Sequence, residues 1–368
     1  MKHNSFNIYH QSKDKKLNSK VLRDLYSFMK KLRICEDQIE EEYHPKDQMR
    51  CPVHFCTGQE AVPASLYKLI KKNDFLFSHH RSHGYYLSKG APLKRLFAEL
   101  YGKKNGANSG LAGSQDISFP EKKFFSGAIL AGAASIAVGT ALALKKNNKK
   151  NVVVTGFGES ATDQGIFWES LNYAGLKNLP ILFICENNIY STYSPQKERQ
   201  SGKGISERAK TFNVSSKSIF GNDVCLVYKE IKEALKKIRN DKGPFLLETF
   251  TYRYSGHVGP LSDDFNGYRT NKEMKNWRKK CPILLLERFL IKKKILNDKK
   301  ILKINKEIKK EIKSCFQFAK KSKFPNFKSW EDLNLLNEKN KTISKKLLPS
   351  LKPKKLDLNQ KIELPKGY

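Results

Sequence analysis

The chain has 368 residues, enough for one large core or two modest ones. Its 39% hydrophobic and 11% aromatic content can build such a core, and no apolar run approaches the roughly 20 residues of a bilayer-spanning helix. Seventy basic against 36 acidic residues leave a net charge of +34, which would draw polyanions. The excess is mostly lysine, spread along the chain among Asn and Ile, so a basic nucleic-acid-binding role ranks last among the readings. The first residues carry no apolar stretch of the signal-peptide kind. Seven scattered cysteines without a CxxC pair argue for a reducing compartment, and a cytoplasmic location is expected. Cys51, His54 and Cys56 lack the spacing of a zinc site.

Residues 1–20 are polar and expected to be loose. From Val21 to Tyr43, apolar residues recur at three and four, predicting an amphipathic helical arm. Gln59–Leu69 reads as a helix, Phe75–Phe77 as a buried strand, and the small, apolar Ala128–Leu144 as a tightly packed core helix. Val152–Val154 and Ile181–Cys185 read as strands flanking a helix at Ile166–Leu176. Val224–Val227 and Phe245–Thr249 continue the short apolar runs, with a helix at Lys229–Arg239 between them. Two closing helices are expected at Ile283–Leu290 and Ile301–Ala319. This alternation predicts an α/β fold, a mostly parallel sheet with helices on both faces, in a domain over 21–335 that begins with the N-terminal helical arm. The proline-punctuated stretch 336–368 is expected to be an extended tail.

Two strand ends are unusually polar. After Val152–Thr155 comes GFGESATDQG, and after Ile181–Cys185 comes ENNIY. A right-handed crossover through 161–186 returns both loops to one edge of the sheet, where open α/β folds bind ligands. Glu159, the Asn188 side chain and a nearby backbone carbonyl then supply hard oxygen ligands of the kind Mg²⁺ prefers. The glycines and the following helix N-terminus suit a diphosphate.

Gly158-Glu159-Ser160 followed by Asn187-Asn188 resembles the thiamin diphosphate motif. The wider context is similar to the α subunit of the decarboxylating component of 2-oxo acid dehydrogenases, the pyruvate, branched-chain and acetoin group. The stretches that carry the resemblance are HFCTGQEA from His54, Arg81–Gly84, Gly113-Ser114, Asp163–Gly165, Cys185–Asn188 and Tyr252–His257.

The resemblance implies a thiamin diphosphate-binding fold, with Glu159, Asn188 and the main-chain oxygen of Tyr190 as Mg²⁺ ligands. It also implies that Arg81, Arg253 and His257 hold the diphosphate, in a cofactor site that includes His80, Gly158, Ser160 and Ala161. Ile129–Ala131 fall on the segment that contacts the aminopyrimidine, and His54 lines the substrate approach; His54 and His257 are the catalytic candidates. Glu159 stands where Asp is usual, Ser160 replaces a glycine, His80 a tyrosine and Asp116 a histidine. The loop 257–269 corresponds to a cofactor-covering loop. Val258 and Gly267 fall where mitochondrial relatives carry phosphorylated serines, so no kinase switch is expected.

The implied activity is oxidative decarboxylation of pyruvate or a related 2-oxo acid with acyl transfer to lipoyl. The implied partners are a β subunit, in an α₂β₂ heterotetramer, and a lipoyl-bearing acyltransferase. An acetoin-cleaving or biosynthetic carboligase using the same cofactor and a non-catalytic assembly paralogue stand as alternatives.

Overall fold

A computed structural model describes residues 17–43, 49 and 51–326. Contacts divide the chain after Phe324, and everything below concerns the first unit. Residues 1–16 and the expected tail 336–368 lie outside the described residues.

The arm is α1 (Ser19–Tyr43), opened by the Asn18 side chain, which accepts from the Val21 N–H at 2.9 Å. Its stripe of Leu22, Leu25, Phe28, Met29, Leu32, Cys35 and Ile39 is buried. Each fully buried Leu or Phe contributes roughly 1.5–3 kcal/mol. Then follow α2 (Ala61–Leu69), β1 (Phe75–Ser78), α3 (His83–Ser88), α4 (Leu93–Leu100), β2 (Phe124–Ser126), α5 (Gly132–Lys146), β3 (Val153–Gly158), α6 (Gly165–Leu176) and β4 (Ile181–Asn187). A small antiparallel pair, β5 (Tyr190–Ser191) and β6 (Ser194–Pro195), leads into α7 (Gln196–Arg199) and α8 (Ile205–Lys210). The remaining elements are β7 (Ser215–Phe220), α9 (Val224–Arg239), β8 (Phe245–Phe250), α10 (Asn271–Lys279), α11 (Pro282–Lys292) and α12 (Asp298–Lys321).

Six strands form one sheet in the order β2-β1-β3-β4-β8-β7, every pairing parallel. Two apolar clusters, one on each face, cover it: one is built around α1, α2, α4, α9, α11 and α12, the other around α5 and α6. The predicted α/β class and helical arm are the architecture observed. Among the described residues no helix is long and apolar enough to cross a membrane.

Two expectations need correction, and one strand had no expectation at all. Val224–Val227 is not a strand but the first turn of α9, because Asp223 caps the helix by accepting from the Cys225 and Leu226 N–H groups. The strand at that place is Ser215–Phe220, an edge strand whose serines pair with polar partners: Ser216 donates to the Ser206 carbonyl and Ser218 to Glu248. Apolar runs could not mark it. The core helix starts at Gly132 rather than Ala128, behind Ala131 in a left-handed conformation (φ 63°), and Ile136 on its outer side is exposed.

Gly58, in the loop before α2, has φ +96°, and a Cβ there would lie 2.2 Å from the Tyr252 carbonyl oxygen. Gly139, inside α5, has open space where a Cβ would point. Gly58→Ala is therefore expected to cost at least about 3 kcal/mol. Gly139→Ala is expected to be neutral or to stabilise by up to about 1 kcal/mol. Denaturant titration of both variants checks the opposite signs.

Candidate active site at the strand tips

β3 and β4 pair in register up to Gly158 and Glu186. Both chains leave the sheet at that edge, one into Glu159 and the other into Asn187-Asn188. β1 ends beside them and continues into His79, His80 and Arg81. Because β2 lies on the far side of β1 while β3 and β4 follow on the near side, the strand order reverses here, and that is where open sheets form a crevice.

The crevice is a cavity of about 230 Å³. It is lined by His54, His80, Arg81, Gly158, Glu159, Ser160, Asn188, Tyr190 and His257, all named from the sequence. Ile129, Ala131 and Ala161 do not line it, although Ala128 and Leu130 do. Arg253 also stands off the wall, its guanidinium donating to the carbonyls of Thr192 and Ser255 and to the Tyr268 hydroxyl. His79 and Gln115, which lie in the motif segments without an assigned role, complete the lining with Ser191 and Thr192, which no motif singles out.

The oxygen donors are held firmly. Asn188 Oδ1 accepts from the Tyr190 N–H at 3.2 Å, and its Nδ2 donates to Gln59 Oε1 at 3.4 Å. Between them Ile189 has φ 64°, a costly conformation for a β-branched residue that turns the Tyr190 backbone back toward the cavity rim. Glu159 is buried; burial raises its carboxyl to about 7 against the pull of Arg199, whose Nη2 lies 2.6 Å from Oε1. Arg199 also pairs with Asp163, and Gln200 donates to the Glu159 carbonyl, Thr162 and Asp163, so the turn after β3 is clamped by the end of α7.

The basic side is the reverse case. Arg81 is only 3% exposed, and its hydrogen bonds go to the carbonyls of Phe55 and His257 and to His257 Nδ1, none to a carboxylate. Burial and the Arg253 charge both act against its protonated form, yet a guanidinium does not give up its proton in a protein. A buried positive charge so placed calls for an anion. Arg253, 1% exposed, leaves Nε without a partner and meets Asp263 Oδ2 at 3.4 Å. Asp263 organises the loop after His257: it accepts from the His257 N–H, the Tyr268 hydroxyl and Arg269. Burial pushes its carboxyl up, but these hydrogen bonds and the two arginine charges outweigh that and leave it below the usual range.

The donor set fits Mg²⁺ and a diphosphate: hard oxygens on one wall, an uncompensated guanidinium on the other, and open space at the position where a Gly158 Cβ would point. The Cys51–His54–Cys56 grouping is not assembled as a metal site, since Cys51 Sγ turns to the Leu100 carbonyl and Cys56 is buried.

Residues 27–328 match the model of the dehydrogenase E1 component family. The chain belongs to that family. It is 32% identical over 303 residues to the α subunit of acetoin:2,6-dichlorophenolindophenol oxidoreductase of Bacillus subtilis, covering 82% of this chain and 89% of the relative. It is 32% identical over 310 residues to the pyruvate dehydrogenase E1 component α subunit of Porphyra purpurea, with the same shares covered. The human mitochondrial somatic form of that subunit is 33% identical over 296 residues, 80% of this chain and 74% of its own length.

Two motif segments of this E1 chain have a structural task beside the cavity. His83 is fully buried, with Nδ1 2.7 Å from Glu36 Oε1 and Nε2 2.9 Å from Ser114 Oγ. Glu36 also accepts from the Cys56 N–H, and Ser82 donates to the Ser114 carbonyl. The arm α1, the loop carrying His54 and the loop carrying Gln115 are thus joined by one satisfied polar chain.

Three imidazoles crowd the cavity wall. The His54 ring centroid lies 4.8 Å from that of His80 and 5.3 Å from that of His257. Burial, followed by the Arg81 charge, lowers His54 to about 2 and His257 to about 4, and His80 well below the ordinary value. An unfolded chain takes up these protons near pH 6.5. The folded state therefore binds fewer protons between about 6.5 and 4, and this contribution to stability is complete above that window and drains as pH falls through it. The thermal midpoint of the unaltered chain is expected to fall more steeply from about pH 7 to about 4.5 than that of His257→Gln. Equal slopes in the two melting series would contradict this.

Proposed function

We propose that this chain is the α subunit of a thiamin diphosphate-dependent 2-oxo acid dehydrogenase, acting on pyruvate or a related 2-oxo acid with acyl transfer to lipoyl. The observation that carries the reading is the convergence of Glu159, Asn188 and the uncompensated Arg81 on one cavity, in a chain that matches the E1 family along most of its length.

In this reading Glu159, Asn188 and the Tyr190 carbonyl hold Mg²⁺. Arg81, His257 and His80 face the diphosphate, with Gly158, Ser160 and Ala161 supplying the turn beneath it. Arg253 supports from behind, and Ile129–Ala131 lie beside the aminopyrimidine. Bound thiamin diphosphate supplies the electron sink for loss of carbon dioxide from the 2-oxo acid. The chain's own task is to orient and to manage charge. Arg81 offsets phosphate charge with planar, fixed donors. His54 and His257, held neutral by burial and by the arginines, keep lone pairs that can accept hydrogen bonds and so orient a donor at the substrate approach.

A β subunit completes the site in an α₂β₂ heterotetramer in the cytoplasm. Ile129, 78% exposed, and Leu130 just before α5, Ile136 in its second turn, and Leu261 and Phe265, 84% exposed, in the 257–269 loop after β8, are apolar surface beside the cavity suited to a partner chain. A lipoyl-bearing acyltransferase receives the acyl group. An acetoin-cleaving activity is the second reading, favoured by the similarity to the Bacillus subtilis protein.

Co-purification with its β subunit, followed by calorimetric titration of thiamin diphosphate in Mg²⁺ and a dye-reduction assay with pyruvate, branched 2-oxo acids and acetoin, tests the proposal. Activity is expected from the pair and not from this chain alone. Glu159→Ala and Asn188→Ala are each expected to weaken Mg²⁺-dependent cofactor binding by at least about tenfold, the least that loss of a ligand should cost when loss of a supporting group costs that much. Mg²⁺-independent binding unchanged by both substitutions, or turnover by the isolated chain, would overturn it.

A further inference from the structure

The magnesium reading uses oxygen ligands and leaves the nitrogen-rich wall of the same cavity to other chemistry. Nitrogen donors of His54, His80 and His257 all lie within 4.8 Å of one another, the one group of three or more such ligands found among the described residues. His54 Nδ1 is buried and has no hydrogen-bond partner, an orphaned atom of a kind that folded chains rarely tolerate. The His79 ring also lies close, 5.2 Å from that of His80, but its Nε2 is turned to Glu186 Oε2 at 3.4 Å and it is not one of the three.

We propose that His54, His80 and His257 form a second metal site, a three-imidazole site for a borderline divalent ion of the Zn²⁺ or Co²⁺ class, distinct from the oxygen-lined Mg²⁺ position. Neutral imidazole suits Zn²⁺, Co²⁺ and Ni²⁺, whereas Mg²⁺ prefers oxygen. Zn–N bonds of about 2.0–2.1 Å in tetrahedral geometry need nitrogens about 3.3–3.4 Å apart, so side-chain rotations of little more than an ångström close the present arrangement. The rings are already uncharged, and ligation needs no proton release from them. Two costs oppose it: the 3.3 Å approach of Arg81 Nη2 to His257 Nδ1 is given up or rearranged, while Arg81 keeps the Phe55 and His257 carbonyls, each at 2.9 Å, and the ion's charge adds to that of Arg81. The fourth position opens to the cavity. With Arg81 alongside, that position favours an anionic ligand such as hydroxide or a phosphate oxygen.

The test uses the full chain in excess Mg²⁺, without thiamin diphosphate or substrate, so that its outcome is separate from that of the proposed function. Calorimetric titration with Zn²⁺ is expected to show one tight equivalent that Mg²⁺ does not displace. X-ray absorption of the Zn²⁺-loaded, unaltered chain is expected to show nitrogen ligation of the imidazole type, and this readout needs no variant. His80→Phe and His257→Gln should each weaken the tight equivalent by at least about tenfold, with circular dichroism melts confirming that each variant is folded. Sulfur ligation, displacement by Mg²⁺, absence of a saturable tight equivalent, or affinity unchanged in both folded variants would overturn the site.

Discussion

The parallel pairing of β3 with β4 is the constraint on which the site depends. Registered from Val153 with Ile181 to Gly158 with Glu186, the two strands leave the sheet together. Their next residues cannot be placed far apart without breaking the ladder. Glu159 and Asn188 reach the cavity because of that register, and a slip of one residue would turn each side chain to the other face. The neighbours reinforce the arrangement. β1 delivers Arg81 from one side, and β8 delivers Arg253 from the other, through the Thr251 N–H bonded to the Asn187 carbonyl at 2.9 Å.

What the strands bring together is electrostatically expensive. Two buried guanidinium groups sit near each other with one buried carboxylate, Asp263, engaging Arg253 and none engaging Arg81. Three imidazoles remain neutral because burial, and then the Arg81 charge, penalises a proton that brings no anion with it. Glu159, on the opposite wall, resists ionisation because burial outweighs the pull of Arg199, 2.6 Å away. A core assembled for stability would not keep these groups side by side. Perturbed acids and bases converging on a crevice mark a site that awaits charged ligands.

Much of this was legible in the chain because the relevant signals are local. GFGESATDQG and ENNIY advertise polar strand ends, and the period of three and four residues in α1 and α12 gives both helices to within a few residues. The misread parts have non-local causes. Ser215–Phe220 is a strand because β8 offers an unpaired edge and Glu248 and Ser206 satisfy its serines, none of which leaves an apolar pattern. Ala128–Leu130 are apolar like the helix that follows, yet Asp116, a dozen residues back, holds the Ala128 N–H at 2.8 Å and the helix begins only after the left-handed Ala131. Arg199 and Gln200 carry no motif; their importance comes from the folding of α7 onto the turn after β3.

The arm α1 shows how far the site's support extends from the sheet. Its Glu36 is the fully buried carboxylate that orients His83 and holds the Cys56 N–H, while its leucines and Phe28 pack into the core on that face. An amphipathic stripe alone would let the helix slide along its groove, since apolar contacts specify direction poorly. The Glu36–His83–Ser114 chain fixes it, because every member is buried and a displaced helix would strand polar groups away from water. The loops bearing His54 and Gln115 hang from the two ends of that chain. The same hydrogen bonds that seat the N-terminal helix therefore also set the width of the cavity, and packing far from the strand tips is coupled to the position of the groups that face the ligand.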